Sequence, residues 1–319
     1  MKNFWLKLKT PILALAPMAG ITDSAFRQIC KKSGADVVYS EMTSADGLFY
    51  HGKKTLELLK FEKKEQPLVI QLFGKDPVKF GLAAKLVEQA GPNGIDINFG
   101  CPARKVVAHG GGATLLRDLD LCHQIIKATI DNTKSPVSVK VRISINYKGQ
   151  KITVFDFLKK MADLPISAIM IHGRTYEQGF NGEIDCQTIK EARKYFTGVI
   201  LANGGINTPE EAKNILTKTA ADGLGLARGV YGRPWLFKQI KDYLIKGLYS
   251  EPNWTAKKKI ILDHAKLVFK AKGQHGLLEF RKHLLWYVKG LPEAKCLRSE
   301  LVKIETVEEI KDVLKKIHE

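Results

Sequence analysis

The sequence predicts an α/β fold, a TIM (β/α)8 barrel followed by a C-terminal all-helical domain. Three observations support this class. Eight short apolar runs recur along the first part of the chain, and stretches with helical spacing separate them. After Trp235 the apolar runs stop and only helical patterns follow. Eight strand–helix units are typical of a closed parallel barrel, whereas a doubly wound sheet more usually has six or seven strands.

The predicted strands are short apolar runs, as expected for strands inside a barrel. They are ILALAPM (12–18), DVVYSEM (36–42), LVIQLFG (68–74), GIDINFG (94–100), VSVKVRI (137–143), AIMIHGR (168–174), VILANGG (199–205) and DGLGLAR (222–228). Helical spacing and start signals predict the helices between them. These helices span residues 22–33, 77–90, 118–132, 153–162 and 209–219.

The end of the chain has the pattern of a separate helical domain. Residues 255–272, 277–290 and 306–318 show helical spacing with no strand between them. Pro252-Asn253 suits the linker before them. We therefore predict a barrel domain over residues 1–245 and a helical domain over residues 246–319.

Composition favours a soluble protein with a polyanionic partner. The chain has 51 Lys and Arg against 33 Asp and Glu, a net charge of +18. We favour nucleic acid as the partner, because no basic amphipathic anchor with Trp and Phe on one face is present. No apolar run reaches about 18 residues, so we predict no membrane span. Five scattered cysteines without a CxxC pair predict no metal site and indicate a reducing cytoplasm.

Polar side chains lie at the carboxyl-terminal ends of most of the predicted strands, at the end of a barrel where active sites lie. They are Gln71, Asn98, Cys101, Lys140, Arg142, His172, Arg174, Asn203 and Arg228, with Met18 at the end of the first strand. One such residue alone would be explained as a helix cap or an interior ion pair. So many at one barrel mouth predict a functional site.

Two glycine-bearing turns, 203–205 and 223–229, follow the last two strands. These positions are the usual phosphate site of the barrel, and Arg228 would add a charged contact there. Met18 and Gln71 suit a planar, hydrogen-bonding ring. Lys140 would stabilise such a ring if it becomes anionic on reduction. Flavin mononucleotide (FMN) fits these features.

Several ordered segments resemble the tRNA-dihydrouridine synthases, particularly the bacterial B-type subgroup. The segments are APMAGITDSAFR (16–27), DINFGCPARKVVAHGGGATLL (96–116), KVR (140–142), IHGRT (171–175), ANGGI (202–206) and ARGVYGRPWLF (227–237). The resemblance covers nearly the whole chain. It implies an FMN-dependent barrel enzyme that uses NADPH to reduce the 5,6 double bond of uridine in the tRNA D-loop.

The same resemblance implies a role for each matching residue. The flavin contacts would be Pro17, Met18, Ala19, Gln71, Lys140 and His172, and the phosphate contacts Asn203, Gly204, Gly205, Ala227 and Arg228. The target base would be held by Asn98, Arg142 and Arg174. Cys101 would be the catalytic acid, because C5 of uracil needs a proton after hydride reaches C6, and an ordinary thiol is mostly protonated at neutral pH.

A base within a folded RNA must leave its stack to enter such a pocket, so recognition of the RNA is expected elsewhere. We predict that the basic helical domain binds tRNA. Its candidate phosphate contacts are Lys257, Lys258, Lys259, Lys266, Lys270, Arg281, Lys282 and Lys289. We assign Trp286 and Tyr287 to the core. We predict no obligate protein partner.

Two alternatives remain open from the sequence. The first is an FMN barrel enzyme that reduces a free pyrimidine, similar to dihydroorotate dehydrogenase, although the basic helical tail argues against it. The second is a tRNA-binding module with vestigial redox activity. The intact set of Gln71, Cys101, Lys140 and His172 argues against the second.

Overall fold

The structure, a computed structural model, describes residues 3–108, 110–292 and 294–317. In these ranges eight strands form the barrel: β1 (Ile12–Leu15), β2 (Val37–Ser44), β3 (Leu68–Phe73), β4 (Gly94–Phe99), β5 (Val137–Arg142), β8 (Ala168–His172), β9 (Val199–Asn203) and β10 (Gly223–Leu226). The strands are parallel and close in the order β1-β10-β9-β8-β5-β4-β3-β2. Strands β6 (Ser144–Tyr147) and β7 (Gln150–Thr153) form a separate antiparallel hairpin. The predicted TIM barrel is confirmed.

Helices surround the barrel. Those of the first 246 residues are α1 (Ser24–Lys32), α2 (Ala45–Phe49), α3 (Lys53–Glu57), α4 (Pro77–Ala90), α5 (Arg104–Ala108), α6 (Leu119–Ile130), α7 (Val154–Lys160), α8 (Cys186–Ala192), α9 (Pro209–Thr219) and α10 (Leu236–Lys246). Side-chain caps fix several of their starts. Asp23 accepts a hydrogen bond from the Phe26 backbone N–H at the start of α1, and Thr208 forms a capping box with Glu211 at the start of α9.

Three further helices follow: α11 (Trp254–Tyr287), α12 (Ala294–Leu301) and α13 (Val307–Lys315). The sequence predicts two helices where α11 stands, and the structure confirms the break between them, because Gly273 inside the 34-residue α11 has a non-helical backbone conformation. The second half ends three residues earlier than predicted. The last predicted helix corresponds to α13. Its final residue, 318, lies outside the described residues.

The C-terminal helices have a hydrophobic core of their own that also reaches the barrel. Leu277, Phe280 and Leu284 of α11 pack in it against residues of α12 and α13. Ala25 of α1 and Trp235, just before α10, belong to the same cluster. Burying each large apolar side chain contributes about 1.5–3 kcal/mol, so this shared core holds the helices on the α1 and β10 side of the barrel.

No described helix is both long and apolar enough to cross a membrane. Several short elements are absent from the sequence prediction, namely the β6–β7 hairpin and helices α2, α3, α5, α8, α10 and α12. Elements of four to eight residues, as most of these are, give too few repeats for a clear apolar period. The exception is α10, which has 11 residues.

Candidate active site

A cavity of about 1120 Å³ opens at the carboxyl ends of the barrel strands. The structure brings nearly all of the predicted site residues together around it. Its lining includes Pro17, Met18, Ala19, Asn98, Cys101, Lys140, Arg142, His172, Arg174, Asn203, Gly204, Gly205, Ala227 and Arg228. Gln71 is the predicted residue that does not line the cavity.

The register of the strands explains why these side chains meet. Arg142 on β5 is paired with His172 on β8, and His172 is paired with Asn203 on β9. Asn203 in turn pairs with Gly225 on β10, whose carbonyl accepts a hydrogen bond from Asn203 Nδ2 at 2.7 Å. Neighbouring strands therefore present these residues at one level of the barrel mouth.

Gln71 lies beneath the cavity wall, fully buried between two other polar side chains. Its Nε2 donates to Asp96 Oδ2 at 2.6 Å, and its Oε1 accepts from Asn98 Nδ2 at 2.8 Å. Asn98 Oδ1 accepts from the backbone N–H groups of Gly100 and Cys101, at 3.0 and 2.9 Å. A directed chain of hydrogen bonds thus runs from the barrel interior to the turn that carries Cys101.

Positive charge dominates the inner wall of the cavity. Burial and the nearby Arg142 guanidinium lower the pKa of Lys140 to about 8. Burial and the surrounding cations lower the pKa of His172 to about 2, so its imidazole is neutral. Glu251 is the single acidic residue among the described lining residues, and its Oε1 already pairs with Lys257 Nζ at 2.9 Å. An inner wall with this excess of cations suits an anionic ligand.

Three arginines of the wall also hold one loop, residues 175–182. Arg142 donates to the carbonyls of Thr175 and Gly179, both at 2.8 Å. Arg174 donates to the Gly182 carbonyl at 2.7 Å. Arg228 lies over the ring of Phe180, with 4.6 Å between the guanidinium carbon and the ring centroid. The arginines that the sequence assigns to ligands therefore also fix the shape of the cavity mouth.

The turn after β9 has a conformation that requires glycine. Gly204 and Gly205 have φ values of +108° and +67°, which L-residues rarely adopt. A Cβ on Gly204 would lie 2.8 Å from His172 Cδ2, closer than such contacts allow. This turn brings backbone N–H groups to the cavity edge, where a phosphate is bound in many barrels.

Sequence reasoning missed the aromatic residues at the outer part of the cavity. Tyr231, from the segment after β10, stacks on Trp286 of α11 with 4.1 Å between ring centroids, and both line the cavity. Trp286 is half-buried and packs against the barrel core, in agreement with its assignment, but it also lines the cavity; Tyr287 is buried as predicted. The two stacked residues are far apart in sequence, and local periodicity carries no signal for such a contact.

Comparison with known proteins identifies the family. The sequence model of the dihydrouridine synthase (Dus) family matches residues 14–319. The chain is 33% identical over 301 residues to a probable tRNA-dihydrouridine synthase 1 from Synechocystis sp., covering 94% of this chain and 84% of the relative. It is 33% identical over 300 residues to a tRNA-dihydrouridine synthase B from Xanthomonas campestris pv. campestris, covering 93% of this chain and 90% of the relative.

A solved structure with a similar fold is that of histamine dehydrogenase from Rhizobium sp. 4-9, with a TM-score of 0.57 and 14% identity. The match covers 80% of this chain and 48% of that one, so the chain spans about half the length of this neighbour. At this identity the likeness concerns the barrel fold alone. The family match over nearly the whole sequence, together with two relatives above 30% identity, shows that the chain belongs to the dihydrouridine synthase family.

Proposed function

We propose that the protein is a tRNA-dihydrouridine synthase that reduces the 5,6 double bond of uridine in the tRNA D-loop, with bound FMN and with NADPH as electron donor. The observation that carries the proposal is the meeting of Cys101, Asn98, Lys140 and Arg142 at one cavity in a member of this family. NADPH and the D-loop follow from the resemblance of the site motifs.

The residues of the cavity fit FMN. The phosphate would lie at the turn of Asn203, Gly204 and Gly205, with Ala227 and Arg228 beside it, where left-handed glycines and a guanidinium occur together. Pro17, Met18, Ala19, Lys140 and His172 would surround the ring. Gln71 lies below this wall, and its proposed main role is to orient Asn98, whose Nδ2 donates to Gln71 Oε1. When bound, FMN supplies the hydride for uracil C6.

Cys101 is the proposed proton donor. Reduction at C6 leaves negative charge toward C5 and O4 of uracil, and a proton held on Cys101 Sγ would neutralise C5. The Cys101 backbone is anchored on both sides: its N–H donates to Asn98 Oδ1 at 2.9 Å, and its carbonyl accepts from the Ala113 N–H at 3.0 Å. These bonds would keep the thiol pointed at one place in the cavity.

Asn98, Arg142 and Arg174 are the proposed contacts of the target base. Arg142 and Arg174 are both buried, and burial strengthens hydrogen bonds from their charged groups. Because these residues also hold the loop 175–182, binding of the base and the shape of the mouth would depend on each other.

We propose that residues 1–245 carry out catalysis and that residues 246–319 bind tRNA. Lys259, Lys266 and Lys270 are exposed on α11, and Lys289 is exposed at the edge of the cavity. Such lysines suit phosphate contacts. All five cysteines are free, which agrees with the reducing cytoplasm that we propose as the location.

The test maps dihydrouridine by position in tRNA from cells that lack this gene. We expect one or more D-loop positions to lose the modification and the native gene to restore it. A Cys101→Ala copy should fail, with a loss of about 10²- to 10⁴-fold in the rate on purified tRNA. A Cys296→Ala copy is the matched control, because Cys296 is exposed and lies outside the cavity lining.

Two results would contradict the proposal. Full activity of Cys101→Ala on unmodified tRNA would show that Cys101 is not the proton donor. Turnover of free uracil or orotate by the purified protein in the absence of RNA would favour a free-pyrimidine reductase instead.

A further inference from the structure

An exposed tyrosine lies on the segment that follows β2, at the end of the barrel where the cavity opens. Tyr50 follows α2, and 70% of its surface is exposed. The Lys79 Nζ lies over its ring, 5.1 Å from the centroid, and Phe49 packs edge-on at 5.1 Å. Phe49 and Lys79 thus hold the Tyr50 ring in place while most of it faces solvent. We call Phe49, Tyr50 and Lys79 the Tyr50 patch.

The Tyr50 patch lies on the segments that follow β2 and β3, next to the strand β4 that leads to Cys101. Helix α2 continues directly from β2, whose Met42 lines the cavity. Lys75, after β3, lies against the loop that follows Cys101, since a Cβ on Gly110 would be 3.0 Å from Lys75 Cδ. Tyr50 follows β2, which pairs with β1, and α11 packs on α1, the helix between β1 and β2. The patch therefore lies on the segment of the rim next to the one that α11 covers.

Cations surround the Tyr50 patch. Lys53 and Lys54 of α3, Lys75, and Arg104 and Lys105 of α5 are all exposed on the segments that follow β2, β3 and β4. Asp46, the acidic residue of α2, already pairs with Lys79. Asp76 also lies near Lys79. Within residues 3–108, 110–292 and 294–317, Lys53, Lys54 and Lys75 have no ion-pair partner, and an aromatic ring beside such lysines has the composition of a surface that binds single-stranded nucleic acid.

We propose that the Tyr50 patch is a second RNA-binding surface, on which an unpaired base of the tRNA stacks against Tyr50 while Lys53, Lys54 and Lys75 contact the adjoining phosphates. This inference rests on the proposed function. A target base drawn out of its stack leaves its neighbours in a distorted loop. Contacts at two neighbouring places on the rim of the mouth, α11 and Tyr50, would hold that loop over the cavity.

The chain offers a matched control in Tyr195. It is 40% exposed, the Lys159 Nζ lies over its ring at 5.3 Å, and Phe155 is 5.5 Å away. The neighbours are of the same kind, a lysine and a phenylalanine, although the Phe155 and Tyr195 rings are tilted at 43° where Phe49 and Tyr50 meet edge-on at 84°. Tyr195 lies between α8 and β9, at the amino-terminal end of the barrel. We expect Tyr50→Ala to raise the Kd for unmodified tRNA at least about fivefold, and Tyr195→Ala to leave it unchanged. NADPH oxidation without RNA should be unaffected by either change.

A second measurement reports stacking directly. In Tyr50→Trp, a stacked base should quench the added indole when tRNA is titrated in, beyond the signal of the four native tryptophans. Tyr195→Trp should show no added quenching. Two results would overturn the proposal. One is an unchanged tRNA affinity in Tyr50→Ala, which would favour a protein as the partner of the patch. The other is a Tyr50→Trp protein whose fluorescence is not quenched by tRNA. These assays measure binding, so quenching in Tyr50→Trp together with a wild type that forms no dihydrouridine would contradict only the proposed function.

Discussion

At the scale of single residues, the buried hydrogen bonds from Asp96 through Gln71 to Asn98 set the direction of two side-chain amides. Asp96 also accepts from Ser138 Oγ at 2.6 Å, and burial raises its pKa to about 6. Because Gln71 Nε2 donates to Asp96, Gln71 Oε1 is the atom that remains to contact Asn98. Asn98 must then present its own oxygen to the backbone at Cys101. The orientation of the turn that carries Cys101 thus depends on a carboxylate outside the cavity lining.

Replacing Gln71 by the similarly sized methionine should break this chain at its centre. Both the Asp96 carboxylate and the Asn98 amide would lose a buried partner, so we expect the free energy of unfolding to fall by about 2–5 kcal/mol. The rate on tRNA should fall by at least about tenfold, because the Cys101 turn loses its fixed position.

Urea unfolding and dihydrouridine formation measure these two effects. Gln187→Met is the control, because Gln187 makes a similar bond to Glu191 Oε1, at 2.8 Å, on the protein surface. Its effect on the free energy of unfolding should stay within about 0.5 kcal/mol. Equal losses for the two variants would contradict the role given to Gln71.

At the scale of elements, strands were predictable because each barrel strand is a short apolar run with both faces buried. All four residues of β1 and all six of β4 are buried. The residues around the cavity were predictable because parallel strands place their carboxyl ends at one rim. The Tyr231–Trp286 stack was not, since it joins segments distant in sequence. The position of Gln71 below the wall was not predictable either, because sequence gives the strand end but not the depth of a side chain.

The break in α11 shows what a single glycine does to an element. Gly273 has φ 60° and ψ −152°, a combination that is essentially restricted to glycine. Apolar spacing on both sides predicts an interruption of the helix between residues 272 and 277. The observed break is at Gly273, the first residue of that gap. The two halves of the helix can thereby each turn apolar residues, such as Val268 and Leu277, into one core.

Gly273→Ala should therefore be destabilising although, in the described part of the chain and apart from the adjacent helix backbone, no atom lies within 4 Å of the added methyl group. We expect a loss of about 1–3 kcal/mol in the free energy of unfolding, from backbone strain alone. Chemical denaturation provides the measurement. Gln274→Ala, on the next residue of the same helix, should change stability by no more than about 0.5 kcal/mol. A Gly273→Ala protein as stable as wild type would show that the helix straightens without cost.

At the scale of the whole molecule, the C-terminal helices meet the barrel through two buried histidines of α11. The Phe26 ring of α1 lies 5.5 Å from the His264 ring and 5.0 Å from the His283 ring. Among the described residues, neither His264 Nε2 nor His283 Nδ1 has a hydrogen-bond partner. Asp23 of the barrel and Lys272 of α11 form an ion pair at 3.0 Å nearby. The junction therefore contains two imidazoles that are buried in the neutral form.

This arrangement predicts a loss of stability in mild acid. Burial lowers the pKa of His264 to about 4, against its ordinary 6.5, and lowers that of His283 as well. The negative charge of Asp23 favours protonation of both histidines. The positive charges of Lys272 and Lys282 oppose protonation of His283. Because the unfolded chain binds protons more readily than the folded one, stability is complete above pH 6.5. It then falls as the pH drops, by about 3 kcal/mol for His264 by pH 4.

Urea unfolding between pH 7.5 and 5 tests this prediction with matched variants. Each buried histidine should contribute a slope approaching about 1.4 kcal/mol per pH unit well below pH 6.5. His283→Phe removes one of them and should flatten the dependence. His275→Gln, with its side chain 78% exposed on the same helix, should leave the slope as in wild type. A wild-type stability that stays constant across this range would show that the histidines are protonated within the fold, and that the junction tolerates their charge.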